Sequence, residues 1–140
     1  MIYKSKLLKT QNFISIFILF FSDIVSAAVP RVYIESPESG AHVQSPVEIV
    51  FALDGMVLAP AGTYATNTGH HHLIIDNELP DLGMPIPSDN NHLHFGKAQD
   101  RVLLNLEPGL HTLQLLLGDG SHIPHQPPLI SEKIEIKIVP

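Results

Sequence analysis

The chain has no cysteine and no tryptophan among its 140 residues, only 6% aromatic side chains, and eight basic residues against fourteen acidic ones. Without cysteine there is no disulfide framework, no thiolate metal site, no thiol catalysis and no iron-sulfur chemistry. Any metal must be held by imidazole, carboxylate or thioether. Beyond the first nine residues the basic side chains are few and scattered. That excludes nucleic acid and anionic membrane surfaces as partners, since both are gripped mainly by Lys and Arg. No helical period is visible after residue 30. The catalytic signatures are missing too: there is no Gly-x-Ser-x-Gly elbow, no His-Glu-x-x-His helix and no Gly-rich phosphate loop.

Long apolar runs are also scarce, with one at the start. Lys4, Lys6 and Lys9 precede Phe13 to Phe21, and the small-residue stretch Val25-Ser26-Ala27-Ala28 follows. A basic start, a short apolar centre and small residues at a cleavage point read as a secretory signal peptide over residues 1–27, cut after Ala27 or Ala28. The run is well short of the ~20 residues needed to span a bilayer. The expectation is a signal peptide followed by one domain over 28–140, exported to the periplasm or secreted, with no membrane insertion after cleavage. Loss of three lysines and only one acidic residue, Asp23, leaves that domain more acidic than the −6 of the whole chain.

What remains breaks into short β-type runs between Pro and Gly. Strands are expected at Val32–Ile34, Pro46–Leu53, the run ending at Ile75, His92–Phe95, Arg101–Leu106, Leu110–Leu117 and Ile130–Val139. In the second, Val47, Ile49, Phe51 and Leu53 alternate onto one face. In the last, Ile134, Ile136 and Ile138 alternate against Lys133, Glu135 and Lys137. Residues 55–69 and 77–91, rich in Gly, Pro, Asp and Asn, read as long loops flanking the run that ends at Ile75. About seven short strands with turns at this spacing argue for an all-β, immunoglobulin-like β-sandwich.

Nine histidines stand out against these absences, eight of them between residues 70 and 125. His42 reads as a surface residue in a turn. His111 shares a strand face with Leu113, Leu115 and Leu117, so a hydrogen-bonded histidine at the core edge competes with a ligand. His71 shares a face with Leu73 and Ile75, so there too packing competes with ligation. The pairs His70 with His72 and His92 with His94 each place two imidazoles on one strand face. Such pairs can close around one ion. His122 and His125, in the loop after the long strand, could complete the set. The metal-ligand candidates are therefore His70, His72, His92, His94, His122 and His125. Imidazoles with nearby carboxylates such as Asp76, Asp89 or Asp119 suit copper(II) or zinc, whereas copper(I) would want thioethers, which only Met56 and Met84 could supply.

The strings Gly69-His70-His71-His72-Leu73-Ile74-Ile75-Asp76 and His92-Leu93-His94-Phe95-Gly96-Lys97-Ala98-Gln99 are two of the motifs that carry a family resemblance. So are Pro60-Ala61-Gly62, Pro108 to Leu115, and Asp119-Gly120-Ser121-His122-Ile123-Pro124-His125. In this order and spacing they resemble a small exported bacterial family, domain-of-unknown-function family 4399, from about Arg31 to Val139. The resemblance implies an exported domain and brings no activity with it. His92 to Gly96 is also similar to the zinc strand of animal-type carbonic anhydrases, but the chain is far too short for that fold. Three functional readings remain open at this point. The first is a histidine-based copper or zinc binding domain. The second is a metal-independent module contacting another envelope protein. The third is a metalloenzyme of the superoxide-dismutase kind, against which stand the missing disulfide cysteines and the lack of any arginine after Arg101.

Overall fold

The computed structural model describes residues 29–140; the expected signal peptide, residues 1–27, lies outside them. The described residues form nine strands and no helix. No helix among them is long and apolar enough to cross a membrane. The strands are β1 (Arg31–Ser36), β2 (His42–Gln44), β3 (Val47–Asp54), β4 (Val57–Leu58) and β5 (Thr68–Ile75). They are followed by β6 (His92–His94), β7 (Arg101–Leu104), β8 (Gly109–Gly118) and β9 (Ile134–Val139). One sheet has the order β1-β3-β7 and the other runs β2-β9-β8-β5-β4, with β6 also paired to β5.

The alternating strands put their apolar faces together. Val47, Ile49 and Phe51 of β3 meet Leu73 and Ile75 of β5, Leu113 and Leu115 of β8, and Ile136 and Ile138 of β9 in one core. Burying each such side chain contributes roughly 1.5–3 kcal/mol. β8 is central, antiparallel to both β5 and β9. Beyond Leu113 its β9 side is taken by the segment 129–131, through Ser131 N–H to Leu115 O and Leu117 N–H to Leu129 O.

Two expectations change. His42 lies in β2, paired parallel with β9, rather than in a turn, although it is exposed as anticipated. The stretch 55–69 is not all loop, because Val57 and Leu58 pair with Thr68 and Gly69. Both strands are too short, at three and two residues, to show a period in sequence.

β5 is the hub, bonded to β8 on one side and to β6 and β4 on the other. From Gly69 to Ile75 every one of its residues is buried. One face meets the main core. The other lies beneath the loops 77–91 and 119–130, where Ile74, Leu116 and Ile86 form a second small core flanked by Leu79, Leu82 and Ile130.

Candidate metal centre

Alternation along β5 sends His70, His72 and Ile74 to the loop-covered face and His71, Leu73 and Ile75 to the core face. The register then decides which second pair joins them. His94 of β6 lies opposite His72, and His92 lies opposite Ile74. His94 therefore approaches the β5 pair while His92 sits one step along the strand. His122 arrives from the turn after β8. Asp119 Oδ1 accepts the N–H groups of Ser121 (2.8 Å) and Ile123 (2.9 Å), and Asp119 O accepts the His122 N–H (2.9 Å). His122 has φ +66°, the left-handed region that side chains other than Gly rarely occupy. Its carbonyl accepts Ile86 N–H at 2.8 Å, tying the two covering loops together.

Four rings converge. His70 Nε2 and His72 Nε2 are 3.1 Å apart. One ligand atom from each of His70, His94 and His122 lies within 4.8 Å of the other two, and His72 is not part of that group. His70 and His72 are fully buried, and His94 and His122 are half-buried toward the loop side. His70 Nδ1, His72 Nδ1 and His94 Nε2 are buried without a hydrogen-bond partner among the described residues.

Burial first, then the neighbouring His94 and His122 rings, lowers the His70 pKa to about 4, although the charge of Asp119 pulls the other way. Burial, followed by His70, His94 and His122, holds His72 at about 3. Burial and then His122 lower His94. At neutral pH these three rings are uncharged, the form in which imidazole ligates a metal.

Two glycines make the room. A Cβ on Gly118, which pairs with His70, would lie 2.9 Å from His72 Nε2. A Cβ on Gly96 would collide with the His94 ring. Neither glycine is singled out by its sequence setting, because nothing local signals that an imidazole packs against its backbone.

Of the six candidates, His92 and His125 stand apart from this group. His92 Nδ1 is bonded to Asp89 Oδ1 at 2.9 Å, beside Ile74 rather than beside the other rings. His125 Nε2 lies 2.9 Å from where a Cβ of Gly69 would be, next to Leu117. Gly69 faces away from His70 by strand alternation, so His125 approaches β5 from the wrong side. His111 is hydrogen-bonded at both nitrogens, Nδ1 to Asp76 Oδ2 at 2.7 Å and Nε2 to Glu107 O at 2.8 Å. His71 is packed in the core against Phe51, with ring centroids 5.2 Å apart. The carboxylates named from sequence are engaged elsewhere: Asp76 with His111, Asp89 with His92, and Asp119 in its own turn. Met84 is largely exposed.

No curated protein matches the chain, and no solved structure matches it. One family model does match, over residues 49–139, which takes in β4 to β9 and all but the first two residues of β3. The four converging histidines all fall within that span, and the chain belongs to the family described as Domain of unknown function (DUF4399).

Proposed function

We propose that this protein is an exported, periplasmic domain that binds one divalent transition-metal ion, copper or zinc, through His70, His94 and His122, with His72 packed beside them. The observation that carries this reading is the grouping of one ligand nitrogen from each of His70, His94 and His122 within 4.8 Å of one another on a loop-covered face. Small ring rotations would bring such a set to the ~2.0–2.1 Å distance at which imidazole holds an ion. Hydrogen bonding alone accounts poorly for the cluster. Buried polar atoms are normally partnered, yet this face closes one ring-to-ring contact and leaves His70 Nδ1, His72 Nδ1, His92 Nε2 and His94 Nε2 with none among the described residues. In the same reading the two sheets form an immunoglobulin-like sandwich, and residues 1–27 are a signal peptide that delivers 28–140 to the periplasm. The partner is then the metal itself, with no role for nucleic acid or for membrane insertion after cleavage.

Calorimetric titration of untagged, metal-stripped protein with Zn(II) and Cu(II) tests the reading. One equivalent should bind tighter than about micromolar, and His70→Ala with His94→Ala should abolish binding while circular dichroism stays β-rich. His92→Ala and His125→Ala should leave the affinity unchanged. Wild type that binds neither ion, or a His70/His94 double variant that binds as well as wild type, would remove the metal reading in favour of a metal-independent interaction module.

A further inference from the structure

We infer that the metal centre is open: the bound ion keeps one coordination position free of protein donors, and that position takes a small monodentate anion from solution. The inference rests on the metal-binding reading above and adds to it the class of ligand the same site accepts.

The protein donors are three. One nitrogen from each of His70, His94 and His122 makes up the group, which contains neither His72 nor any carboxylate. The carboxylates in the neighbourhood are committed: Asp76 to His111 and Asp89 to His92. Asp119 Oδ1 accepts the N–H groups of Ser121 and Ile123, which holds that side chain in the turn carrying His122. Met84 is largely exposed, and Met56 lines a cleft beside His125 and Pro127, outside the group. Zinc takes four donors, and a site with three from the protein leaves the fourth position to a ligand from solution.

Charge decides what fills it. Neutral imidazoles bring none, so a divalent ion arrives with both of its charges uncompensated. Asp119 is the carboxylate whose charge reaches His70, and it offsets one of them. No carboxylate acts on His94. One positive charge is left beneath the loops, where water screens it less than in bulk and where an unpaired charge is costly. A single monovalent anion completes the coordination and the charge balance together.

The surroundings limit its size. His70 is fully buried, so solvent reaches the group past His94 and His122, which are half-buried. The covering segments are tied to one another by backbone hydrogen bonds. Ile86 N–H donates to His122 O at 2.8 Å. Ala61 N–H donates to Gly96 O at 3.0 Å, and Gly62 N–H donates to Gly120 O at 2.9 Å. The chain at 61–62 thus straps the turn after His94 to the turn before His122. A bulky ligand would have to break these bonds to enter, whereas an anion of two or three atoms would not.

The test uses untagged protein stripped of metal, loaded with one equivalent of Co(II), whose visible bands report its coordination, and titrated with sodium azide at constant ionic strength. The bands should shift and saturate at one azide per cobalt, with the cobalt retained on desalting. Benzoate, of equal charge and greater bulk, should leave them where they are. His72→Ala, checked for β-rich circular dichroism, should show the same azide shift, because the ring it removes is not a donor. Bands in wild type that are indifferent to azide would overturn the open position while leaving metal binding intact. So would a shift seen only in His72→Ala, which would make His72 the fourth donor. Benzoate shifting the bands as readily as azide would overturn the assignment to small anions. Failure of Co(II), Zn(II) and Cu(II) alike to bind would instead overturn the metal-binding reading on which the inference rests.

Discussion

His71 and its neighbours His70 and His72 differ only in the side of β5 from which they leave. All three are at most 1% exposed, and burial is the main cause of the low pKa of each, about 4 for His71 and His70 and about 3 for His72. Their company is different. His71 meets Phe51 in the main core, whereas His70 and His72 meet each other, His94 and His122. A buried, neutral histidine is thus not by itself a ligand. What makes a centre is other rings arriving on the same face, and three separate parts of the chain supply them.

The largest effect that sharpens this contrast is acid sensitivity on the core side. His71 has its pKa lowered in the fold, so it favours the folded state fully at pH above the ordinary histidine value of ~6.5. That contribution is lost as pH falls from ~6.5 toward its folded value of about 4. At about 1.4 kcal/mol per pH unit over roughly two and a half units this is on the order of 3–4 kcal/mol. His71→Leu should therefore flatten the acid limb of the stability curve, measured by urea unfolding of metal-free protein between pH 4 and 8. Metal affinity at pH 7 should stay unchanged. An acid limb as steep as that of wild type would show that the loop-side rings carry the whole pH dependence.

Gly118→Ala acts on the other face. The new methyl group would press on the His72 ring, and overpacking of this kind costs typically about 1–3 kcal/mol. It should also reduce metal affinity, since the ring it displaces is in contact with His70. Thermal unfolding with and without Zn(II) separates the two effects. Equal stabilisation of wild type and variant by zinc would argue that the position of His72 has no bearing on the metal group.

His111 supplies the smallest change and the opposite sign. Burial lowers its pKa, but the bond to Asp76, the Glu107 carbonyl and the Asp76 charge together raise it above the ordinary value. Its contribution is present in full below ~6.5 and fades as pH rises through the raised folded value. Because Asp76 is 40% exposed, solvent screens the pair, and His111→Ala should cost no more than about 1 kcal/mol. Unfolding at pH 6 and pH 8.5 should show a larger loss at the lower pH.

Much of the fold was legible along the chain because alternation is a local property. The apolar faces of β3 and β9 follow from residues 47–53 and 133–139, and the separation of His71 from His70 and His72 follows from the period of two in β5. The short β2 and β4 were not legible, since two or three residues carry no period and those strands exist only through their partners. The candidate site divides in the same way. Sequence supplied the histidines and paired them within each strand. It gave no means of ranking His92 against His94, or His122 against His125.

The sequence by itself determined the available chemistry, imidazole and carboxylate without thiolate, and the strand faces on which His70 and His72 stand together. Only the tertiary structure decided which other rings reach them. The β5–β6 register set His94 against His72 and sent His92 to Asp89, and the Asp119 turn brought His122 over the same face while His125 fell on the far side. A shift of one residue in a strand register exchanges its two faces. The membership of the site was therefore fixed by backbone pairing and turn geometry between distant segments, which no stretch of sequence encodes locally.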